Sequence, residues 1–350
     1  MLLIIGRISD SVNRHQIKYW QHNFIIFSYA RQYNNDGTLI SIVKIYKLIC
    51  KRENIMIKDN TGFYFQQIHI DIARNATDDF NLFHDPYKWH KIKNNPFDGS
   101  IALGFQIESL IEERVSQFRF KNDEQQLIID KGLSFSNYQF TFANAVKVGQ
   151  EVVVDIKKSQ FKSTAICSSL SNRVAVKADG KLALMGYKKE STYPLFLEDV
   201  DFSDLGDLRP LADRSIIPES VFFLKRKFMN TSNAKNFLCA SFTDQSIYFD
   251  ELNNVANFPE IFPCSLISCA LLEKAQKNKH DFEENPLVYT SHKITIDRTL
   301  LAKLKSNDAL HILIKENPDQ PNTYECYGLV DNNKILYRGI ISLTTLQSIL

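Results

Sequence analysis

The order of elements in this chain repeats, and a repeat of well over a hundred residues constrains the fold more than any single motif. The first pass runs from a short strand (63–68) through a helix over about 71–80, a loop containing Pro86 and Pro96, and a long helix from about Ser100 to Phe118. In that long helix Leu103, Ile107, Leu110, Ile111, Val115 and Phe118 recur at spacings of three and four, which predicts one buried stripe. Strand-like runs follow (LSFSNYQFTF, EVVVDIKK, STAICSSL, RVAVKA, LALMGYKK), separated by turn residues such as Gly149, Asn172 and Asp179-Gly180. After the polar stretch Glu198 to Arg209 and Pro210, the order begins again: a strand over 221–228, helices over 234–242 and 264–277, then four strands. Slid together without a gap, residues 79–85 face 244–250 and residues 97–104 face 262–269. Identities are few, but apolar character is kept throughout. One helix followed by a meander of strands, twice over, is an α+β pattern in which each sheet wraps a central helix.

This reading divides the chain into four parts. Residues 1–55 are an upstream extension, expected to be poorly ordered, with eight Lys and Arg against three acids and a hairpin turn at Asn35-Asp36-Gly37. Residues 56–197 form the first copy, 198–215 a linker, and 216–350 the second copy.

Composition removes several functional classes. A formal charge of +2 over 350 residues, with Lys and Arg scattered, leaves no electrostatic footprint for nucleic acid. The six cysteines form no C-x-x-C pair and read as small buried hydrophobes of a reducing compartment. The opening MLLIIG is too short for a signal peptide, and FIIF at 24–27 is shorter than a membrane span requires, so the expected location is cytoplasmic. Nucleotide loops, a G-x-S-x-G elbow and metal-ligand spacings are all missing from the sequence, so no metal is expected.

The residues that carry chemistry lie in ATDDFNLFHDPYKW, 76–89, where Asp79, Asn81 and His84 stand close together. Five positions on a continuous helix separate side chains by roughly 140°, so Asp79 and His84 share a site only if the helix ends between them. Asp85 precedes Pro86 and is pushed out of the helical region, and Asn81 is suited to a C-cap. A carboxylate from the last turn and an imidazole from the loop beyond then face one cleft and hold one water.

This D-x-N-x-x-H string, with the later helix start FDGSIALGFQIESLI, resembles the MaoC-like, R-specific enoyl-CoA hydratases (hydratase 2) and related hydroxyacyl-thioester dehydratases. The resemblance covers residues 60–190 in motif and 210–350 in architecture only. It implies a double hotdog, two fused copies replacing the usual dimer, with the second degenerate because Phe249 and Cys269 stand where the first has His84 and Gly104. It also implies a hydro-lyase acting on 2-enoyl and 3-hydroxyacyl thioesters of coenzyme A or acyl carrier protein, as in fatty acid metabolism, with no separate cofactor. Asp79 and His84 are the implied catalytic pair, and the amides at Gly104 the implied oxyanion donors. Asn81, Gly99 and Ala102 line the implied substrate site, while Phe249 widens and dries its inner end. The chain departs from the family pattern at Asp78, Leu82 and Leu103, where Gly, Pro and His are usual. A homodimer of double-hotdog chains is an assembly open to it.

Other candidates carry less. A thioester hydrolase would want its carboxylate on the long helix, where Glu108 and Glu112 lie one or two turns beyond the start; a non-catalytic acyl-binding module needs only the tunnel. His69, His90, His280, His292 and His311 have no partner nearby in sequence and read as structural or surface residues. Cys264 and Cys269 read as core packing, and Asp78 diverges from Asp79 by about 100° on a helix.

Overall fold

The computed structural model describes residues 62–348 and, before them, the two-residue strands Gln32–Tyr33 and Leu39–Ile40, which pair antiparallel. The Asp36-Gly37 turn and the remainder of the 1–55 segment read as an extension lie outside the described residues.

Among the described residues the α-helices of five residues or more are α1 (Gln67–Thr77), α2 (Gly104–Lys121), α3 (Glu124–Asp130), α4 (Thr231–Ala240), α5 (Ile261–Ser265) and α6 (Ile267–Lys277). They accompany one antiparallel sheet of twelve strands. In the first half its order is Phe63–Tyr64, Glu151–Ile156, Ser168–Ala178, Lys181–Ser191, Phe135–Phe142. From the seam outward the second half reads Leu287–Asp297, Lys334–Thr345, Thr323–Val330, Ala309–Glu316, Phe223–Phe228. The second order is the first reversed, as a two-fold axis through the seam demands. Phe135–Phe142 and Leu287–Asp297 meet there, His292 opposite Phe140 and Thr295 opposite Asn137. The Thr295 hydroxyl donates to Asn137 Oδ1 at 2.7 Å across that seam.

Local chemistry explains where the helices differ from the expected bounds. The Gln66 N–H is taken by His69 Nδ1 at 3.0 Å, so α1 begins earlier than residue 71. At its end Asp78 adopts φ 54° and the Asp79 amide returns to the Arg74 carbonyl at 3.0 Å, a left-handed termination that stops the helix at Thr77. Residues 101 and 102 are pinned as extended backbone by bonds to the Phe83 and Val146 carbonyls, so α2 begins at Gly104 rather than Ser100. The helix expected over 264–277 starts earlier and divides at Leu266, and its Pro263 sits in the first turn, where a missing N–H is tolerated.

One hydrophobic core runs through both halves, from Phe65, Phe105 and Leu110 to Phe262, Ile294 and Ile341. The stretch 198–215, read as a linker, is packed rather than free: Phe202 and Leu208 are buried on a second cluster with Leu224, Leu313 and Tyr327. Polar groups also join the halves. Gln106 on α2 donates to the Ala240 carbonyl at 2.8 Å, and Glu112 accepts the amides of Glu260 and Ile261, 2.9 and 3.0 Å away, at the start of α5.

Beside that cap lies a buried charge cluster. Glu260 receives Lys188 at 3.0 Å, Arg298 at 3.2 Å and the hydroxyls of Ser136 and Tyr138. Burial pushes its carboxyl up, but Lys188, Arg298 and the two hydroxyls outweigh this and hold it down to about 2. Burial and the neighbouring Glu260 charge push Glu112 the other way, to about 7, against the two capping amides. The pair therefore bends the pH dependence of stability. Glu260 contributes stability that is present above its ordinary 4.5 and lost as pH falls toward about 2. Glu112 holds its proton better folded than unfolded, so its contribution is present below 4.5 and lost as pH rises through about 7. Urea melts across pH 3–8 should show stability rising from the acid side to a maximum near pH 5 and falling again toward 8. In E112Q the fall above pH 5 should flatten; an unchanged alkaline limb would show that Glu112 does not set it.

Candidate active site

The turn that ends α1 builds the site. Asp79 follows the left-handed Asp78, and its Oδ1 accepts the Asn81 amide at 2.9 Å. Asn81 is not a helix C-cap as the sequence suggested: it opens a single 3-10 turn, Leu82–His84, with its Oδ1 accepting the Phe83 amide at 3.2 Å. These two short-range bonds turn the chain so that Asp79 and His84, nearly side by side in sequence, line one cavity. Asp85 then adopts the extended backbone demanded before Pro86, and its Oδ2 receives Arg74 at 3.0 Å, tying the turn back to α1.

Asp79 and His84 are both buried, 5% and 6% exposed, so a charge on either is felt strongly by the other. The Ile101 carbonyl lies 2.8 Å from His84 Nδ1. A carbonyl only accepts, so Nδ1 carries the proton and Nε2 of the neutral ring is an acceptor. Burial lowers the imidazole's proton affinity; the Asp79 charge and the Ile101 carbonyl oppose this, and the net displacement is downward. His84 is consequently neutral at pH 7. Asp79 Oδ1 accepts the Asn81 amide, and the second carboxylate oxygen is a further acceptor.

The cavity measures about 560 Å³. Asp79, Asn81, His84, Ala102 and Gly104 line it from the first half. Ser268, Leu271, Leu272, Phe282 and Tyr289 line it from the second. Gly104, the first residue of α2, lies at its wall, and an α-helix leaves its first amides without intrahelical partners. Space at Gly104 is short for a reason the sequence did not reveal. A Cβ there would stand 3.1 Å from the Phe142 ring and 3.4 Å from Tyr289, tighter than ordinary contact for the former.

Two expected site residues fall elsewhere. Gly99 does not line the cavity, and an added Cβ there would meet nothing within 4 Å. Phe249 does not line it either: it pairs with Ala256 in a short hairpin and buries its ring 5.8 Å from Phe258 within the second half. The position facing His84 thus became core rather than tunnel wall. The repeat survives nearby, since Asp244 accepts the Ser246 amide at 2.9 Å just as Asp79 accepts that of Asn81, 165 positions earlier.

His292 was read as having no partner, and it has one. Its Nδ1 lies 2.9 Å from Glu108 Oε1, with both side chains wholly buried. Their separation of 184 positions hid the pair. Neither Glu108 nor Glu112 lines the cavity. Cys264 and Cys269 are buried, and burial pushes both thiols up, the latter to about 12, as suits packing. Asp78 pairs outward with Lys227. Among the described residues there is no cluster that could hold a metal ion, and no helix is long and apolar enough to cross a membrane.

No family model matches the chain, and no curated protein matches it. Solved structures do. The full-length peroxisomal multifunctional enzyme type 2 from Drosophila melanogaster superposes with a TM-score of 0.50 and 10% identity, over 81% of this chain and 48% of that one. The present chain therefore spans about half the length of the fly enzyme. A MaoC-like dehydratase gives 0.49 and 9%, over 81% and 96% of the two chains. A conserved Mycobacterium tuberculosis protein with a double hotdog fold gives 0.48 and 12%, over 81% and 94%. At such identities a likeness concerns architecture alone; the chain's own sheet order, one half repeated in reverse across the seam with a helix set in each, is that of a double hotdog, α+β with two copies joined along one sheet.

Proposed function

We propose that the chain catalyses reversible hydration of 2-enoyl thioesters to 3-hydroxyacyl thioesters, with the acyl group carried on coenzyme A or acyl carrier protein. The observation that carries this reading is that Asp79, His84 and the start of α2 line a single largely apolar cavity. Water held between Asp79 Oδ2 and His84 Nε2 adds its oxygen to C3 while the pair takes up its proton. The pair returns a proton to C2 from the same face, so addition is syn and protons balance. Negative charge that gathers on the thioester oxygen is met by the positive end of α2 at Gly104. Apolar side chains from the second half, Leu271, Leu272 and Phe282 among them, suit an acyl tail. Hydrolysis assigned to a carboxylate on α2 has less support, because Glu108 is engaged by His292 and Glu112 by α5.

The test is direct. Purified protein incubated with crotonyl-CoA and longer enoyl thioesters should consume the conjugated double bond and yield 3-hydroxyacyl product without releasing free thiol. Thiol release without hydration would replace this reading with hydrolysis, and binding without either product would leave an acyl-binding protein.

A further inference from the structure

The second copy contributes a pair of hydroxyls to the cavity of the first. Tyr289 lies near the start of the seam strand Leu287–Asp297, and its Oη is 2.7 Å from Ser268 Oγ on α6. Both residues line the same cavity as Asp79 and His84. Ser268 aligns with Leu103 in the first copy, 165 positions earlier, so this hydroxyl belongs to the second copy alone.

We propose that the Tyr289 hydroxyl, backed by Ser268, donates a hydrogen bond to the carbonyl oxygen of the bound acyl thioester, alongside the amides at the start of α2. The inference rests on reading the cavity as an acyl-thioester site. Three observations favour the carbonyl oxygen as its target. The Tyr289 ring lies against Gly104, its Cδ2 3.4 Å from where a Cβ would stand, so the ring edge that carries the hydroxyl into the cavity packs beside the helix start. When Ser268 donates to Tyr289 Oη, the phenol proton is free for an acceptor in the cavity. Burial and the nearby Asp79 charge push the phenol's ionisation up, so it remains a donor. The water, by contrast, already has Asp79 and His84.

The ring is held in place from behind. His292 meets it edge-on at 4.4 Å, and Phe105 packs on it at 6.0 Å. Glu108 fixes His292 through the 2.9 Å bond at Nδ1. The buried Glu108–His292 pair therefore packs behind Tyr289 without lining the cavity itself.

The test compares two ligands that differ only in the carbonyl oxygen, butyryl-CoA and the thioether S-butyl-CoA, by calorimetric titration of the full chain. The preference for the carbonyl ligand, expressed as the ratio of the two Kd values, should fall about tenfold in Y289F, the scale of one neutral hydrogen bond. In S268A, which leaves Tyr289 in place, it should fall about threefold, on the same scale. An unchanged ratio in Y289F with an intact thermal transition would overturn the donor role, as would a wild-type protein that binds both ligands equally. Failure of the wild type to bind either ligand would instead overturn the acyl-thioester reading, and this inference with it.

Discussion

Asp79→Asn should abolish most hydration of crotonyl-CoA, lowering kcat/KM by about 10²–10⁴-fold, while the protein keeps its fold. The amide oxygen of Asn still accepts the Asn81 N–H that Asp79 Oδ1 accepts at 2.9 Å, so the turn before His84 is preserved. What disappears is the charge and the acceptor available to the water. The same change acts on His84. Burial already lowers that imidazole below its ordinary 6.5, and the Asp79 charge is the largest influence opposing it. In the wild type the acid limb of kcat/KM should therefore lie below pH 6.5, because neutral His84 persists as pH falls through that value. In D79N the residual activity should show an acid limb displaced further down. Near-normal turnover by D79N, with unchanged circular dichroism and Tm, would remove Asp79 from the reaction.

The parts of this site that could be read from sequence are the local ones. Asp79, Asn81 and His84 lie within six positions, and a Pro after Asp85 requires an extended residue, so a broken helix followed from stereochemistry. The break itself was placed too late. The stopping residue is Asp78, held left-handed by amides that return to Arg74, and aspartate gives a weaker signal for that conformation than glycine or asparagine. Position 104 illustrates a different limit. Its glycine was legible, but the ring it accommodates, Phe142, comes from a strand whose register no local pattern fixes.

Contacts across the seam were not legible at all. Ser268, Tyr289 and His292 reach the first half only after two sheets join at Phe135–Phe142 and Leu287–Asp297. Phe249 shows the converse error, since alignment placed it opposite His84 correctly in register but said nothing about where its ring would point. A short hairpin with Val255–Ala256 carries that ring into the core against Phe258 instead. Duplication thus preserves backbone turns, seen in the matched bonds of Asp79 and Asp244, more faithfully than side-chain destinations.

Replacing Lys188 by Met should destabilise the protein by about 3–5 kcal/mol, the cost typical of removing one partner from a buried ion network. Lys188 is 3% exposed, and its ammonium lies 2.5 Å from Glu190 and 3.0 Å from Glu260. Methionine fills the stem's volume, so cavity formation contributes little and the loss is mainly electrostatic. Glu190 retains Arg119, and Glu260 retains the partly exposed Arg298 with the Ser136 and Tyr138 hydroxyls. The third carboxyl decides how the loss varies with pH. Glu112 sits at about 7 with Lys188 helping to hold it down, so the variant should raise it further. At pH 5 Glu112 is protonated in both proteins, and two acids face two arginines. At pH 8 it is ionised in the wild type, and in the variant either it carries an unmatched charge or it keeps a proton against the solvent. The difference in urea midpoint between wild type and K188M should consequently be larger at pH 8 than at pH 5, with m unchanged. Equal differences at the two pH values would mean that Glu112 does not sense Lys188, and a loss below about 1 kcal/mol would place the ammonium outside the low-dielectric interior.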